Sequence, residues 1–287
     1  MKNILYYIFG LVIISSCSPN QDENGDFLRG LDYETELGGN NSTIKNIKKV
    51  TTTDDVGDKV VANYNYTGGK LTSVTSDDNS FTYTLTYTGN DITKIVYKNQ
   101  DATSGDTTIN TQNLTYLSGK LVKSEGNTTT SSGTVIYVSS TNYNYASDKI
   151  KSIVTKIKDG TNTTEMFTLQ TDYTFAGNNN LTNFKYSLTT APGPVTSTPI
   201  VLTTTLSGFD NNKNPLGTLP LAFKLVSSHF DLDNNVVSGL SVNNYKTAKV
   251  VSNVETLTAN FNYTYDQDAY PTLATSVMGT VAFEYVK

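Results

Sequence analysis

The sole histidine of the chain, His229, lies in the run Ser227-Ser228-His229-Phe230-Asp231, which holds the residue types of a hydrolase triad. Neighbours along the chain do not by themselves make a triad. In a strand, His229 and Ser228 would point to opposite faces, and no Gly-x-Ser-x-Gly turn presents a nucleophile here. The sequence therefore predicts no catalytic residue in this run.

A partial calcium-loop pattern follows directly. Asp231, Asp233 and Asn235 have the spacing of the first three ligands of such a loop. Its sixth position is Val236 instead of glycine and its twelfth is Val242 instead of glutamate. A hairpin turn is the favoured interpretation, and we expect no metal and no cofactor.

Two acidic pairs, Asp54-Asp55 and Asp77-Asp78, could supply the carboxylates of a glycosidase. Both pairs lie beside Thr, Ser and Asn in turn-like contexts, and nothing in the sequence fixes the distance between them. With one histidine, one cysteine and no tryptophan in 287 residues, the chain is poor in the residue types that build active sites. We therefore expect a protein that is not an enzyme.

The composition also excludes other classes of function. A net charge of −5 with Arg29 as the sole arginine leaves no basic stripe for phosphates, so we expect no nucleic-acid partner. Thr, Ser and Asn make up more than a third of the chain and only 37% is hydrophobic, which argues against a thick helical core. The 19 Tyr and 11 Phe argue against disorder.

Residues 1–16 have the features of an export signal, with Lys2 followed by an apolar run over residues 4–14. That run is too short to span a bilayer. The sequence Ile14-Ser15-Ser16-Cys17 resembles a bacterial lipobox, which implies cleavage before Cys17 and attachment of lipid to it. The alternative is an ordinary secretory signal in which Cys17 is incidental.

Residues 17–41 are polar and acidic, and we interpret them as a lipidated cysteine followed by a flexible tether. The acids Asp22, Glu23 and Asp26 resemble the surface-export signal of Bacteroidota-type lipoproteins. This resemblance implies an outer-membrane lipoprotein that faces the cell exterior. The alternative is a periplasmic orientation with a merely solvated linker.

A short pattern recurs along residues 42–287, which we interpret as one domain. A typical unit has an aromatic residue or Leu, a second aromatic residue two positions later, a polar turn rich in Gly, Asn or Asp, and a Leu or Ile that opens the next strand. The units begin at Tyr64, Leu85, Leu114, Tyr143 and Tyr173, with looser copies at Phe209 and Tyr263. Each unit reads as a β-hairpin. The Leu-x-x-Val or Ile spacing after the turn departs from a period of two, which indicates a bulge or a strand with two apolar faces.

Seven such units imply about fourteen strands, whereas an open sheet rarely exceeds about ten without curling or splitting. The sequence therefore predicts an all-β fold, a long antiparallel meander of repeated hairpins that forms a curved sheet or incomplete barrel. A β-sandwich is the alternative, and no long segment has helical periodicity.

The units, together with the lipobox and the closing sequence from Tyr263 to Pro271, resemble the tyrosine-aspartate (Rhs-like) hairpin repeats of a family of Bacteroidota-type outer-membrane lipoproteins. The resemblance covers about residues 44–287 and implies a curved antiparallel sheet without an established activity. The chain departs from the pattern at Ala269, where the turn usually has Gly, and it lacks Asp after most aromatics.

Prolines interrupt the pattern around residues 187–260, which predicts an irregular insertion that either caps the sheet edge or holds a ligand. We expect a membrane-anchored, non-enzymatic binding or interaction scaffold, attached through the lipid on Cys17, with a glycan or a protein as its ligand. The alternatives are an envelope or polymer-degrading hydrolase and a purely structural envelope protein.

Overall fold

The computed structural model describes residues 44–101, 105–161, 164–190, 198–230 and 235–286. The expected signal peptide (1–16), Cys17 and the tether (17–41) lie outside the described residues, as do Asp231 and Asp233. The predictions that concern them therefore remain predictions.

The described chain is built almost entirely of strands. They are β1 (Ile47–Asp54), β2 (Lys59–Thr67), β3 (Lys70–Ser76), β4 (Phe81–Thr88), β5 (Asp91–Gln100), β6 (Thr107–Leu117), β7 (Lys120–Thr130), β8 (Val135–Ala146), β9 (Lys149–Asp159), β10 (Glu165–Phe175), β11 (Leu181–Thr190), β12 (Ile200–Ser207), β13 (Thr247–Ser252), β14 (Thr256–Asn260), β15 (Asn262–Tyr265), β16 (Pro271–Ser276) and β17 (Gly279–Tyr285). Between β12 and β13 lie helix α1 (Leu221–Phe230) and a 3₁₀ helix (Asn235–Leu240). Within the described ranges, neither helix has the length and apolar character needed to cross a membrane.

The 17 strands form one antiparallel sheet in which each strand pairs with the next strand along the chain. The exception is the step from β14 to β15, which are separated by Phe261 alone. The first strand also pairs with the last, from Ile47 opposite Tyr285 to Asp54 opposite Gly279. The sheet is thereby a nearly closed barrel, and the prediction of an all-β antiparallel meander curved into an incomplete barrel is confirmed.

Each repeated hairpin contains a one-residue bulge directly after its turn. The pairing register shifts between Asn65 and Tyr66, Thr86 and Tyr87, Thr115 and Tyr116, Asn144 and Tyr145, Thr174 and Phe175, and Thr264 and Tyr265. Since the partner strand skips one residue, positions three apart face the same side, and Leu71 and Val74 are both buried. The bulge interpretation of the Leu-x-x-Val spacing is therefore correct.

The alternation along the strands separates an inner face from an outer one. In β4, Tyr83 and Leu85 are buried in the barrel core, whereas Thr84, Thr86 and Thr88 are exposed. The same rule applies along β8, where buried and exposed residues alternate from Ser139 to Asn144. Leu, Ile, Val and Tyr thus fill the interior, while Thr, Asn, Ser and Lys cover the outer surface.

The described residues between β12 and β13, 208–230 and 235–246, pack inside the barrel, and we call them the interior segment. In α1, every residue from Ala222 to His229 is buried. Phe223 packs edge-on against Tyr83 of β4, with ring centroids 5.4 Å apart. On another side of the barrel, the Lys213 amide donates to the Ala269 carbonyl at 3.0 Å. These contacts with separate parts of the wall show that the segment occupies the interior.

The sequence did not predict α1. Lys224, Ser227 and Ser228 share one face of this helix, but its 10 residues are fewer than the roughly 11–18 over which a helical period is recognised in a sequence. Pro220 directly precedes α1, a position at which the missing N–H costs nothing. The described part of residues 187–260 contains this helix and the regular strands β12 to β14. Within that part, the repeat unit expected at Phe209 forms no hairpin, and Asn235–Leu240 form a 3₁₀ helix instead of the hairpin turn that the sequence favours there.

Gly126→Ala should lower the free energy of unfolding by about 2–3 kcal/mol, because overpacking a well-packed wall costs that much. A Cβ at Gly126 would overlap the Thr111 carbonyl oxygen and lie 2.6 Å from Gln112 Nε2. Gly177→Ala is the matched control, since its Cβ would meet no atom within 4 Å. Urea denaturation should distinguish the two variants, and equal midpoints would contradict this packing.

Candidate functional site

His229, the residue most suited to chemistry by type, is fully buried between two strands. Its Nε2 lies 2.7 Å from Thr155 Oγ1 of β9 and its Nδ1 lies 2.9 Å from Thr171 Oγ1 of β10. Burial lowers the pKa of the imidazole from 6.5 to about 3, which keeps the ring neutral. His229 therefore fastens α1 to the barrel wall.

The serines beside His229 serve the helix itself. Ser227 Oγ donates to the Phe223 carbonyl and Ser228 Oγ donates to the Lys224 carbonyl, each one turn earlier, at 2.5 Å. Both imidazole nitrogens of His229 are engaged by threonines. The geometry assembles no Ser-His pair among these three residues.

Lys224 carries an ammonium group inside the barrel. Its Nζ donates to the carbonyls of Gly217 and Gly239, at 3.0 and 2.9 Å. Burial lowers the pKa of this lysine from 10.5 to about 7. The two bonds join α1 to the segments before and after it, so Lys224 holds the interior segment together.

One acid of each pair, Asp54 and Asp78, acts within its own turn, while Asp77 accepts from Asn63 Nδ2 of β2. Asp54 Oδ1 accepts from the amides of Val56 and Asp58, at 3.1 and 2.7 Å. Asp78 Oδ1 accepts from the Ser80 amide at 3.0 Å, and hydrogen bonds from Ser80 lower the pKa of this carboxyl. Among the described residues, no group of His, Cys, Asp and Glu could hold a metal ion.

The turns of the repeated hairpins lie at one end of the barrel. In three of these hairpins, the lysine that follows the turn bonds to the turn of the next hairpin. Lys70 bonds the Gly89 carbonyl, Lys120 bonds the Ser147 carbonyl at 3.0 Å, and Lys149 bonds Asn179. The three ammonium groups also lie over the rings of Tyr87, Tyr145 and Phe175, at 5.3, 5.7 and 5.2 Å from the centroids. These lysines join neighbouring repeats.

A small cleft opens among these turns, with Asp91, Lys120, Tyr145 and the start of α1 on its walls. The Tyr145 hydroxyl is buried there without a hydrogen-bond partner. The cleft has a volume of about 30 Å³, which suits one or two waters and is too small for an organic ligand.

The inner wall of β6 to β8 carries a network of amides and hydroxyls instead of apolar side chains. Gln112 Nε2 donates to Asn110 Oδ1 at 3.1 Å and to Ser139 Oγ at 3.0 Å. Gln112 Oε1 accepts from Ser124 Oγ at 3.1 Å, and this hydroxyl also lies 3.1 Å from Tyr143 Oη. Because each of these polar side chains has a hydrogen-bond partner, the network is stable in the barrel interior.

This network continues to the barrel end opposite the repeat turns. There Asn110 Nδ2 donates to Thr128 Oγ1 at 3.0 Å, and both side chains are only partly buried. Tyr97 flanks Asn110 on β5, and Tyr137 flanks Thr128 on β8. We call these four residues, Tyr97, Asn110, Thr128 and Tyr137, the inner rim.

Sequence reasoning missed the inner rim. The signal in β6 is the series Thr108, Asn110 and Gln112 at every second position. Its alternate positions, Thr111 and Asn113, are equally polar, so the sequence alone could not show which set faces inward.

Comparisons with known proteins identify the fold. No protein-family model matches the sequence, and no curated protein matches it significantly. Two solved structures are similar. A porin-like protein from Bacteroides vulgatus has a TM-score of 0.54 at 14% identity, covering 85% of this chain and 99% of that one. A porin-like protein from Bacteroides uniformis has a TM-score of 0.50 at 13% identity, covering 84% and 96%. At these identities the likeness concerns the fold alone.

The folded protein should lose stability as the pH falls below about 6.5. Below this value the unfolded chain protonates His229, whereas the folded chain keeps it neutral down to about pH 3. The loss from this residue approaches about 1.4 kcal/mol per pH unit, and it disappears above pH 6.5, where both states are neutral. His229→Gln removes the titration. Urea denaturation at pH 7 and pH 4 should show a smaller loss for this variant, and an equal loss would contradict the buried neutral histidine.

Proposed function

We propose that the chain is an outer-membrane lipoprotein, anchored through Cys17, whose barrel lies in water and acts as a non-enzymatic binding module. The observation that carries the proposal is the polar outer face of a barrel whose interior is filled. Antiparallel barrels also form membrane pores, and a pore differs from this barrel in the polarity of both its outer face and its interior.

A barrel that spans a membrane needs an outward apolar band about 25 Å tall, flanked by aromatic residues. The outward positions of β4 are Thr82, Thr84, Thr86 and Thr88, with no apolar residue among them. On β7 the outward positions include Lys123, Glu125 and Asn127. Charged and amide side chains in lipid cost several kcal/mol, so this surface is suited to water.

The interior supports the same conclusion. A diffusion pore has a polar lumen filled with water. Here, Ile153 of β9, Leu181 of β11 and Leu225 of α1 are fully buried members of one hydrophobic cluster. The interior segment packs into this cluster from within. This arrangement favours a solid, water-soluble body that needs a separate device to attach it to a membrane.

The lipobox at Cys17 would be that device. Stable anchoring takes about two acyl chains, which a bacterial lipoprotein cysteine provides. The fold is shared with porin-like proteins of two Bacteroides species. That likeness agrees with an outer-membrane setting and with the Bacteroidota-type features of the hairpin repeats and the acidic tether.

A binding role rather than catalysis follows from the chemistry available. His229 and Lys224, the buried groups with strongly lowered pKa values, are both committed to hydrogen bonds that hold α1 in place. The carboxylates of Asp54 and Asp78 are engaged in turns. Surface exposure through a tether suits a module that captures a ligand.

Cys17→Ala should abolish labelling of the protein by radioactive palmitate in the producing bacterium, because the thiol that receives the lipid is gone. Ser18→Ala, the neighbouring control, should label as the wild type does. The measurement is autoradiography of the purified protein together with its intact mass. Equal labelling of Cys17→Ala and wild type would refute the anchor.

Replacement of residues 1–17 by an ordinary cleavable secretory signal should give a folded protein that stays soluble without detergent. The polar outer face provides the physical reason. Sedimentation after detergent removal and far-ultraviolet circular dichroism measure solubility and β content. A protein that aggregates unless detergent is present would contradict a barrel that lies in water.

A further inference from the structure

We propose that the inner rim binds a neutral oligosaccharide at the open end of the barrel. This inference rests on the proposed binding function and names its ligand class. It concerns Tyr97, Asn110, Thr128 and Tyr137, none of which the hairpin repeats require.

The four residues form one continuous row across adjacent strands. Tyr97 of β5 lies opposite Asn110 of β6, Asn110 lies opposite Thr128 of β7, and Thr128 lies opposite Tyr137 of β8. Directly paired residues point to the same face of a sheet. Three strand spacings of about 4.8 Å place the outer two backbones about 14 Å apart. The row is an elongated platform with a ring at each end and two polar groups between.

Exposure falls from the row toward the barrel interior. Tyr137 is 36% exposed, whereas Ser139 and Gln112, two positions farther in, are 7% and 1% exposed. Tyr97, Asn110 and Thr128 are partly exposed. Solvent therefore reaches the inner face of the barrel at the row, and Gln112 and Ser139 are the buried residues directly below it.

The polar groups of the row are held in fixed orientations. Asn110 accepts from Gln112 Nε2 at 3.1 Å and donates to Thr128 Oγ1 at 3.0 Å. Gln112 is itself fixed by Ser139 and Ser124. At the other end of the row, Tyr97 stacks on Tyr83, with centroids 4.4 Å apart. Such preorganisation reduces the entropy that a ligand would cost on binding.

Polar inward-facing side chains are concentrated in one sector of the barrel wall, the inner face of β6 to β8. On β9 and β10, the inward residues that continue from Ser139 are Ile157 and Phe167. Apolar side chains are thus compatible with the level of Gln112 and Ser139, while at the level of the row β9 places Asp159 opposite Tyr137. An interior wall of amides and hydroxyls costs free energy unless each group is paired, so its confinement to one solvent-accessible sector points to a ligand.

The chemistry of the sector selects a neutral sugar. Aromatic rings offer apolar faces, while amides and hydroxyls give and receive hydrogen bonds. The inward positions between Tyr97 and Tyr137 on β6 and β7 are Thr108, Asn110, Gln112, Gly126, Thr128 and Thr130, and they include no charged side chain. The charged residue beside the row is Asp159, opposite Tyr137 on β9, which would repel an anionic ligand and whose Oδ1 accepts from the amide and hydroxyl of Thr161. A charged ligand would lose hydration here without a partner for its charge.

The test is isothermal titration of the full mature protein with the hexasaccharides of maltose, cellulose, xylan and mannan, and with hexagalacturonate as a charged comparison. At least one neutral hexasaccharide should bind. Tyr137→Ala and Asn110→Ala should each weaken that binding about tenfold or more, as expected for central contacts. Thr111→Ala, whose side chain lies on the outer face of the same strand, should leave the affinity unchanged.

Thermal unfolding of each variant verifies that it folds, and Tyr137→Ala is the more secure variant because its ring is partly exposed. The inference is overturned if no neutral hexasaccharide binds at millimolar concentration, if Tyr137→Ala binds as wild type does, or if hexagalacturonate binds equally well. Palmitate labelling and detergent-free solubility of the same protein test the proposed function separately. A labelled, soluble protein that binds no neutral sugar would therefore refute the ligand class alone.

Discussion

The pairing of β1 with β17 is the contact on which the rest of the structure depends. A long antiparallel meander with two free edges would expose two rows of unpaired amides and carbonyls to other chains. Seven paired positions join the edges, and the Lys45 ammonium adds ion pairs to Asp266 and Asp268 at 2.8 and 2.6 Å. Once the edges meet, every strand has one face toward a confined interior and one toward the surroundings.

The interior of a closed barrel of this size must be packed with side chains, and a segment of the same polypeptide packs it. Helix α1 contributes Phe223 and Leu225 to the hydrophobic cluster, while His229 and Lys224 use their polar atoms to bond the wall and the neighbouring segments. Burying these two groups is costly, and their lowered pKa values are the consequence. The hydrogen bonds that these two groups make hold the helix in one position. This combination explains how a fold shared with porin-like proteins can be a solid body.

Much of the fold follows from local pattern. The alternation of Phe81 to Tyr87 gives a strand with one buried face, and the spacing from Leu71 to Val74 gives the bulge. The alternation predicted the strand directly, whereas the spacing left a bulge and a strand with two apolar faces open until the pairing register selected the bulge. Helix α1 was missed because its 10 residues are too few to establish a helical period. The inner rim was missed because Asn110 and Asn113 are alike in sequence, and only the sheet face distinguishes them.

The sequence by itself determined the all-β class, the hairpin repeat, and the shortage of residue types suited to catalysis. These are properties of composition and of short-range spacing, in which backbone geometry is decided by near neighbours. The tertiary structure alone decided that the edges meet, that α1 lies within the barrel, and that Tyr97 and Tyr137 end one row across four strands. Those outcomes depend on contacts between residues far apart in the chain, whose free energy appears only when the sheet closes.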